Sequence, residues 1–327
     1  KILLRMMDAL LDQWREEQYD VASKTKVLAD DLNELNECPN SVEFSHFSQS
    51  VQGKLIGGVD VSFGEGDSAI AVYVITRNHE VIYTDTLLFN ITHPYVSSYL
   101  AFREIDALQK LVEEQKLNHP KLTPEVILVD GNGILHERKA GLATFLGVKI
   151  DIPTIGVGKT VYCTDGLSVN LVERGVASKI ADFGEYCIAS DASIPFGSSD
   201  NGICVICKDG IDAGNASHTE RFDDSDKKGV AQNIQITSRY CSGFAIPLKG
   251  ESGGILAAAL IGHGGKIAGR GKKKQVGTKN PIYISVGHNI SLLQALGICT
   301  SLCLARIPEP VRQADLIGRA MIKTDKT

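Results

Sequence analysis

Three acids stand where acids are costly. Asp60 lies inside the β-patterned run LIGGVDVSF (55–63), in which Val59, Val61 and Phe63 share one face and Gly58, Asp60 and Ser62 the other. Asp130 closes the apolar run EVILVD (125–130), at the carboxyl end of a buried parallel strand, where open α/β sheets place their ligands. Glu104 has Leu100, Leu108 and Leu111 at helical spacing around it, so on a helix it shares their apolar stripe. Each acid alone reads as a salt bridge or a solvated edge. The three together, desolvated, call for a neutralising cation that prefers oxygen. Mg2+, which takes one or two carboxylates with phosphate and water, fits that description, and Mn2+ is the natural substitute.

The elements that must hold these acids show in the hydrophobic pattern. LIGGVDVSF, SAIAVYVI (68–75) and EVIYTDTLLF (80–89) are β-rich runs with short polar breaks, an antiparallel meander. Pro94 opens a helix to about Lys116; another runs from about Glu137 to Leu146 and stops at Gly147. EVILVD and PTIGV (153–157) are short buried parallel strands. GILAAALI (254–261) and PIYISV (281–286) are further strands, Ser291 and Gln294 form a capping box, and Pro310 starts a last helix. Residues 1–35 form a helix whose Leu3, Met7, Leu10 and Trp14 pack on the domain edge. The fold class is α/β, a mixed sheet of meander and parallel strands flanked by helices. Three parts follow: an N-terminal helix and linker (1–53), a core (54–164 and 251–327), and a Gly-, Ser- and Asp-rich insertion at 165–250, expected to be partly disordered.

Composition narrows the function. The 327 residues carry a net charge of −5 and are 43% hydrophobic and 22% charged, ordinary globular values that exclude a disordered chain or a histone-like binder. Nucleic acid stays open, because only the site itself must be positive. The run KIAGRGKKKQVGTK (266–279), with six cations and no acid, reads equally as a backbone-binding loop or a solvated one. No run approaches ~18 apolar residues, so no membrane partner is expected, and KILLRMMDALLDQWREE lacks the shape of a signal peptide. Eight cysteines in a long chain without such a signal read as free thiols in a reducing compartment, such as the cytoplasm or the nucleus. Cys204 and Cys207 form a CxxC without the second pair that structural zinc usually needs. GKT (158–160) fails as a P-loop, because the Gly required five residues before GK is Pro153.

The segments IGGVDVSF, PYVSSYLAFRE, ILVDGNGILHERKAGLATFLGV, PTIGVGK, YISVGHNISL and IPEPVRQAD, in that order across about 55–160 and 281–319, resemble the endonuclease V family. The resemblance implies an RNase H-like fold and a Mg2+-dependent, monomeric endonuclease. It implies cleavage at the second phosphodiester 3′ of inosine, leaving a 3′-hydroxyl and a 5′-phosphate. The PYVS form and the IPEPVRQAD tail look like eukaryotic members, which favour inosine in single-stranded RNA, with deaminated DNA as a further substrate. By the same resemblance, Asp60, Glu104 and Asp130 match the metal-binding acids and Lys159 an active-site lysine that offsets phosphoryl charge. His288 matches a histidine near the attacking water. Tyr95 matches a wedge that fills the gap left by a flipped base, and Ser98, Leu100, Gly131, His136 and Gly156 the hypoxanthine pocket. The stretch at about 165–245 lengthens the usual connection between GVGK and YISVGH. Two other readings stay open: a non-catalytic inosine-RNA binder, and a nuclease of the same fold with another substrate.

Overall fold

The computed structural model describes residues 2–29, 51–174, 203–207, 241–262 and 280–324. The β-branched runs become strands where the sequence places them. β1 (Ile56–Phe63), β2 (Ser68–Arg77) and β3 (Glu80–Asn90) pair antiparallel in sequence order. β4 (Val126–Asp130) lies parallel to β1, and β5 (Thr154–Gly158) parallel to β4. β6 (Ile203–Cys207), β7 (Cys241–Lys249), β8 (Ile255–Gly262) and β9 (Ile282–His288) complete the sheet, whose order is β3-β2-β1-β4-β5-β9-β8-β7-β6. Every pairing beyond β5 is antiparallel.

Helices cover both faces of this sheet, which is why β4 up to Asp130 and the whole of β5 are buried continuously instead of alternating. On one face α1 (Ile2–Lys24), α2 (Ile105–Asn118) and α3 (Leu142–Ile150) bury Trp14, Leu108, Leu111 and Phe145 against Val59, Ile127 and Val129. On the other, α4 (Leu292–Leu302) and α5 (Glu309–Thr324) bury Leu296, Val311 and Ala314 against Leu128, Ile155 and Val72. Val59 belongs to the first face, so alternation turns Gly58, Asp60 and Ser62 toward α5. The same alternation puts Asp130 on that side with Leu128.

Three helices differ from the sequence pattern in where they begin or end, each for a local reason. The helix expected from Pro94 begins only at Ile105, after a single 3-10 turn at Leu100–Arg103. Ser98 sits at φ 70°, a left-handed conformation that no helix can run through. Glu104 therefore caps α2, at φ −124°, instead of riding its apolar stripe. The helix expected at 137–146 is Leu142–Ile150, because Lys139 takes φ 53° and Gly141 enters extended. Gly147 does not stop it: a Cβ there would overlap Thr154 and His288, so its small size is a packing need, and Asp151 in the left-handed region ends the helix. The first helix ends at Lys24 instead of 35, since Val27 leaves it to bridge Ile290 in parallel.

The capping box is present as read: Ser291 Oγ accepts the Gln294 N–H at 3.2 Å, and the Ser291 N–H donates to Gln294 Oε1 at 3.1 Å. Of the stretch read as an insertion, residues 165–174, 203–207 and 241–250 are described, and β6 and β7 extend the sheet with two of these segments. The disorder expected elsewhere in 165–250, most of the linker at 36–53 and the basic run at 266–279 lie outside the described residues. Cys299 and Cys303 are buried free thiols and Cys163 an exposed one. No helix among the described residues is long and apolar enough to cross a membrane.

α5 lies close on β1 because glycine faces it from both sides. A Cβ on Gly58 would overlap the Pro310 backbone, and one on Gly318 would meet Ser62 Oγ at 2.5 Å. Gly58→Ala should therefore overpack this contact and cost about 1–3 kcal/mol in urea unfolding. Gly254→Ala, whose nearest neighbour would be Ser252 Oγ at 3.9 Å, should leave the midpoint close to that of the parent chain.

Candidate active site

The parallel pairing of β1 with β4 sets Val59 beside Val129, so the next residues, Asp60 and Asp130, emerge side by side at the strand ends. α5, held down at Gly58 and Gly318, adds Asp315 from above. Carboxylate oxygens of Asp60, Asp130 and Asp315 all lie within 4.8 Å of one another. Lys159, one residue past β5, points its Nζ at Asp130 and lies 3.4 Å from Asp315 Oδ1. Its backbone is braced by Arg306, whose Nη2 donates to the Lys159 and Pro281 carbonyls at 2.8 Å each. Arg319 pairs with Asp315 at 2.8 Å from the next turn of α5.

Burial makes this cluster electrostatically tense. Asp60 is 7% exposed. Its carboxyl is pushed up to about 8, first by desolvation, then by the hydrogen bond and repulsion from Asp130, with Lys159 opposing. Glu104, 8% exposed, is also pushed up to about 8, by burial and then by Asp130, while Arg103 pulls it down. Lys159 is raised above its ordinary value by Asp130, Asp60 and Asp315 together, against a desolvation that works the other way. An ammonium thus partly supplies the neutralisation that the acids need. A hard divalent cation suits the same oxygens: the donors are all carboxylate, close enough to share one ion.

The structure does not gather every residue the sequence singled out. Asp60, Asp130 and Lys159 meet. Glu104 stands beside Asp130 electrostatically but outside the three-oxygen cluster. The third member is Asp315, which the sequence reading passed over although it lies in the quoted IPEPVRQAD. It shares the face of Val311, Ala314 and Gly318 at helical spacing, the same mark that drew attention to Glu104.

His288 is a correction. It pairs with Thr154, whereas Asp130 pairs with Val157, three residues further along β5. That places His288 two strands across from Asp130 and about 10 Å further along the strand direction, toward the opposite end of the strands. Its Nδ1 accepts the Lys26 N–H at 3.3 Å, and its Nε2 lies 3.9 Å from Asp151. Burial and Lys26 lower its pKa. It staples the segment after α1 to the sheet and is not placed to orient a water at the carboxylates.

The proposed recognition residues divide into two groups. Gly156 packs on the loop after β4, where a Cβ would overlap Gly133 and Asn132 and meet the Gly131 carbonyl at 2.8 Å. Gly131 itself adopts φ 151°. Ser98 and His136 meet directly, His136 Nε2 lying 2.9 Å from the Ser98 carbonyl, with Tyr162 stacked on the imidazole at 5.2 Å. Leu100 is two residues on, at the start of the 3-10 turn and partly exposed. Tyr95 is 69% exposed, and its ring is covered on one side by the Arg103 guanidinium at 5.7 Å. The guanidinium also covers Phe63 at 5.2 Å.

Comparison with known proteins accords with this arrangement. The family model described as Endonuclease V matches residues 36–190 and 212–316. Human Endonuclease V is 34% identical over 272 residues, which is 82% of this chain and 71% of the human protein. The mouse protein is 35% identical over 272 residues, 82% of this chain and 60% of its own length. The crystal structure of the catalytic domain of human Endonuclease V superposes with a TM-score of 0.65 at 29% identity, covering 97% of each chain. An Endonuclease V from Ciona intestinalis, in complex with a 24mer DNA containing an inosine followed by a ribo-adenosine, superposes with a TM-score of 0.64 at 24% identity, over 97% of this chain and 99% of that one. The fold they share with this chain is RNase H-like.

Two outcomes follow from this geometry. Between pH of about 4 and about 8, folded Asp60 and Glu104 keep protons that the unfolded chain has shed, so the stability of the ion-free protein falls as pH rises through that window. Thermal melts in chelator should show that decline, Asp60→Asn should flatten it, and Mn2+ should raise the midpoint more at the alkaline end. His288→Ala should cost about 0.5–1.5 kcal/mol by removing the part-buried hydrogen bond from the Lys26 N–H. Calorimetric Mn2+ affinity should meanwhile match the parent protein, because the substitution lies away from the carboxylates.

Proposed function

This chain belongs to the endonuclease V family, and on that premise we propose that it is a metal-dependent endonuclease cutting inosine-containing single-stranded RNA, with deaminated DNA as a further substrate. The observation that carries the reading is the Asp60–Asp130–Asp315 cluster beside Lys159, at the strand ends of an RNase H-like sheet. Asp60, Asp130 and Asp315 would hold Mg2+, with Glu104 close behind. When bound, the ion supplies Lewis-acid stabilisation of phosphoryl charge and an acidified water.

The remaining work falls to side chains of this chain. Lys159 reaches the carboxylates from the β5 side and can turn its charge to a phosphoryl oxygen once they are otherwise neutralised. Exposed Tyr95 can occupy the gap in the stack when a base leaves it. Ser98, three residues further along this segment, and His136, which meets it, would read the base. In the hydrolysis, a water oxygen bonds to phosphorus and the P–O3′ bond breaks, at the second phosphodiester 3′ of inosine. The products carry a 3′-hydroxyl and a 5′-phosphate. The resemblance of PYVS and IPEPVRQAD to eukaryotic members supports RNA as the preferred strand.

The test is a matched set of strands bearing inosine or adenosine in RNA and in DNA, cleaved with Mg2+, with EDTA and by Asp60→Ala, the break being mapped. Inosine RNA should be cut fastest, and only by the parent protein with metal. Tight binding without product would instead mark a non-catalytic binder, and indifference to inosine a nuclease of other specificity. Tyr95→Ala should slow cleavage of paired substrates more than of an unstructured strand, mostly through KM. The vacancy it leaves forfeits about 1–3 kcal/mol of stacking. Equal slowing of all substrates at saturation would make Tyr95 a packing residue.

A further inference from the structure

Gln18 lies on α1 and is 0% exposed, although an amide with four hydrogen-bonding positions is costly to bury. Its orientation is dictated by its partners. The Ser98 carbonyl can only accept and Arg138 Nε can only donate, so Gln18 Nε2 donates to Ser98 O at 2.7 Å while Oε1 accepts from Arg138. The same carbonyl receives His136 Nε2 at 2.9 Å and lies 3.4 Å from Arg138 Nη2. The imidazole must donate there, because its Nδ1 accepts the Arg138 N–H at 3.2 Å; His136 is therefore neutral, in keeping with a pKa lowered by burial. Arg138 is fixed in turn by stacking over Tyr99 at 4.5 Å and by Glu137 at 2.5 Å.

Both lone pairs of the Ser98 carbonyl are thus occupied, on a residue held in the left-handed region. Ser98 Oγ is engaged with Tyr162 Oη at 2.6 Å. The Ser98 N–H has no partner among the described residues. A pocket edge formed here offers a donor and hides an acceptor. That suits the 6-oxo group of a purine and leaves a 6-amino group facing another donor.

We infer that Gln18 is a positioning residue for base discrimination: by tying up the Ser98 carbonyl it withholds the acceptor that would welcome adenosine. The inference rests on the proposed function, in which Ser98 faces the target base. Gln18 itself does not touch substrate. Its helix is seated independently of the carboxylates, by Trp14 stacked on Phe102 at 4.8 Å and by the Lys26–His288 and Val27–Ile290 contacts.

The experiment compares the full chain with Gln18→Met, which keeps bulk and loses both hydrogen bonds, and Gln18→Glu. Beside Arg138 the new carboxylate stays ionised, so it still accepts from the guanidinium but cannot donate to Ser98. Cleavage is measured on single strands differing only in inosine, adenosine or guanosine at the target position. Guanosine also carries a 6-oxo group, so it reports general loosening. Both variants should raise adenosine cleavage relative to inosine by about tenfold, while the guanosine-to-inosine ratio moves less than about threefold. Mn2+ affinity and thermal melts verify that each variant is folded and can load metal. Unchanged adenosine discrimination would overturn the inference, as would a parallel rise for guanosine, or parent-like discrimination in Gln18→Glu. Failure of the unmodified chain to prefer inosine would instead bring down the functional reading beneath it.

Discussion

Like charges forced together out of water are the constraint around which this molecule is arranged. Asp60, Asp130 and Asp315 crowd within 4.8 Å, and Glu104 adds a fourth acid pressed upon by Asp130. No fold gathers such a set by default, because each carboxylate favours solvent. The chain manages it by making the positions side effects of stronger preferences. β1 and β4 pair for their buried apolar residues, and that register carries two acids to adjacent strand ends. α5 seats because glycines let backbone meet backbone, and the third acid arrives with it. Lys159, braced through Arg306, then limits the repulsion until metal takes over the task.

The sheet also divides labour between its faces. The α5 face carries acids and charge. The opposite face carries α1, α2 and the aromatic stack of Trp14 on Phe102, which supports the irregular segment from Tyr95 to Leu100. Such a segment can hold a left-handed serine only where its surroundings over-determine it, and the Gln18–Arg138–His136 network does so. Glu104 sits where the two regions meet, directly after the 3-10 turn and within electrostatic reach of Asp130.

Strand positions were legible because a period of two, or an unbroken buried run, is a strong signal, and Asp60 and Asp130 inherit their places from it. The starts of α2 and α3 were not, because Ser98 and Lys139 adopt positive φ without being glycine, and no hydrophobic pattern records that choice. Asp315 was within reach of the same helical-stripe reasoning that found Glu104. His288 misled for a topological reason: β9 runs antiparallel to β5, so a residue at its carboxyl end lies at the amino end of its neighbour. Sequence resemblance named a histidine of suitable chemistry but could not say which end of the sheet would hold it.

The staple at the end of α1 has a consequence for how the protein comes into being. Lys26 and His288, which it joins, are 262 positions apart in the chain, and Val27 likewise waits for Ile290. During synthesis α1 emerges before the strands yet lacks this part of its seat until β9 has been made, and Asp315 is made later still. Contacts of such sequence separation form late and slowly. A nascent chain that already displays β1 to β5 therefore has neither its full set of acids nor the staple that fastens the end of its first helix. The carboxylate cluster is therefore complete only after α5 has been made and has packed on β1.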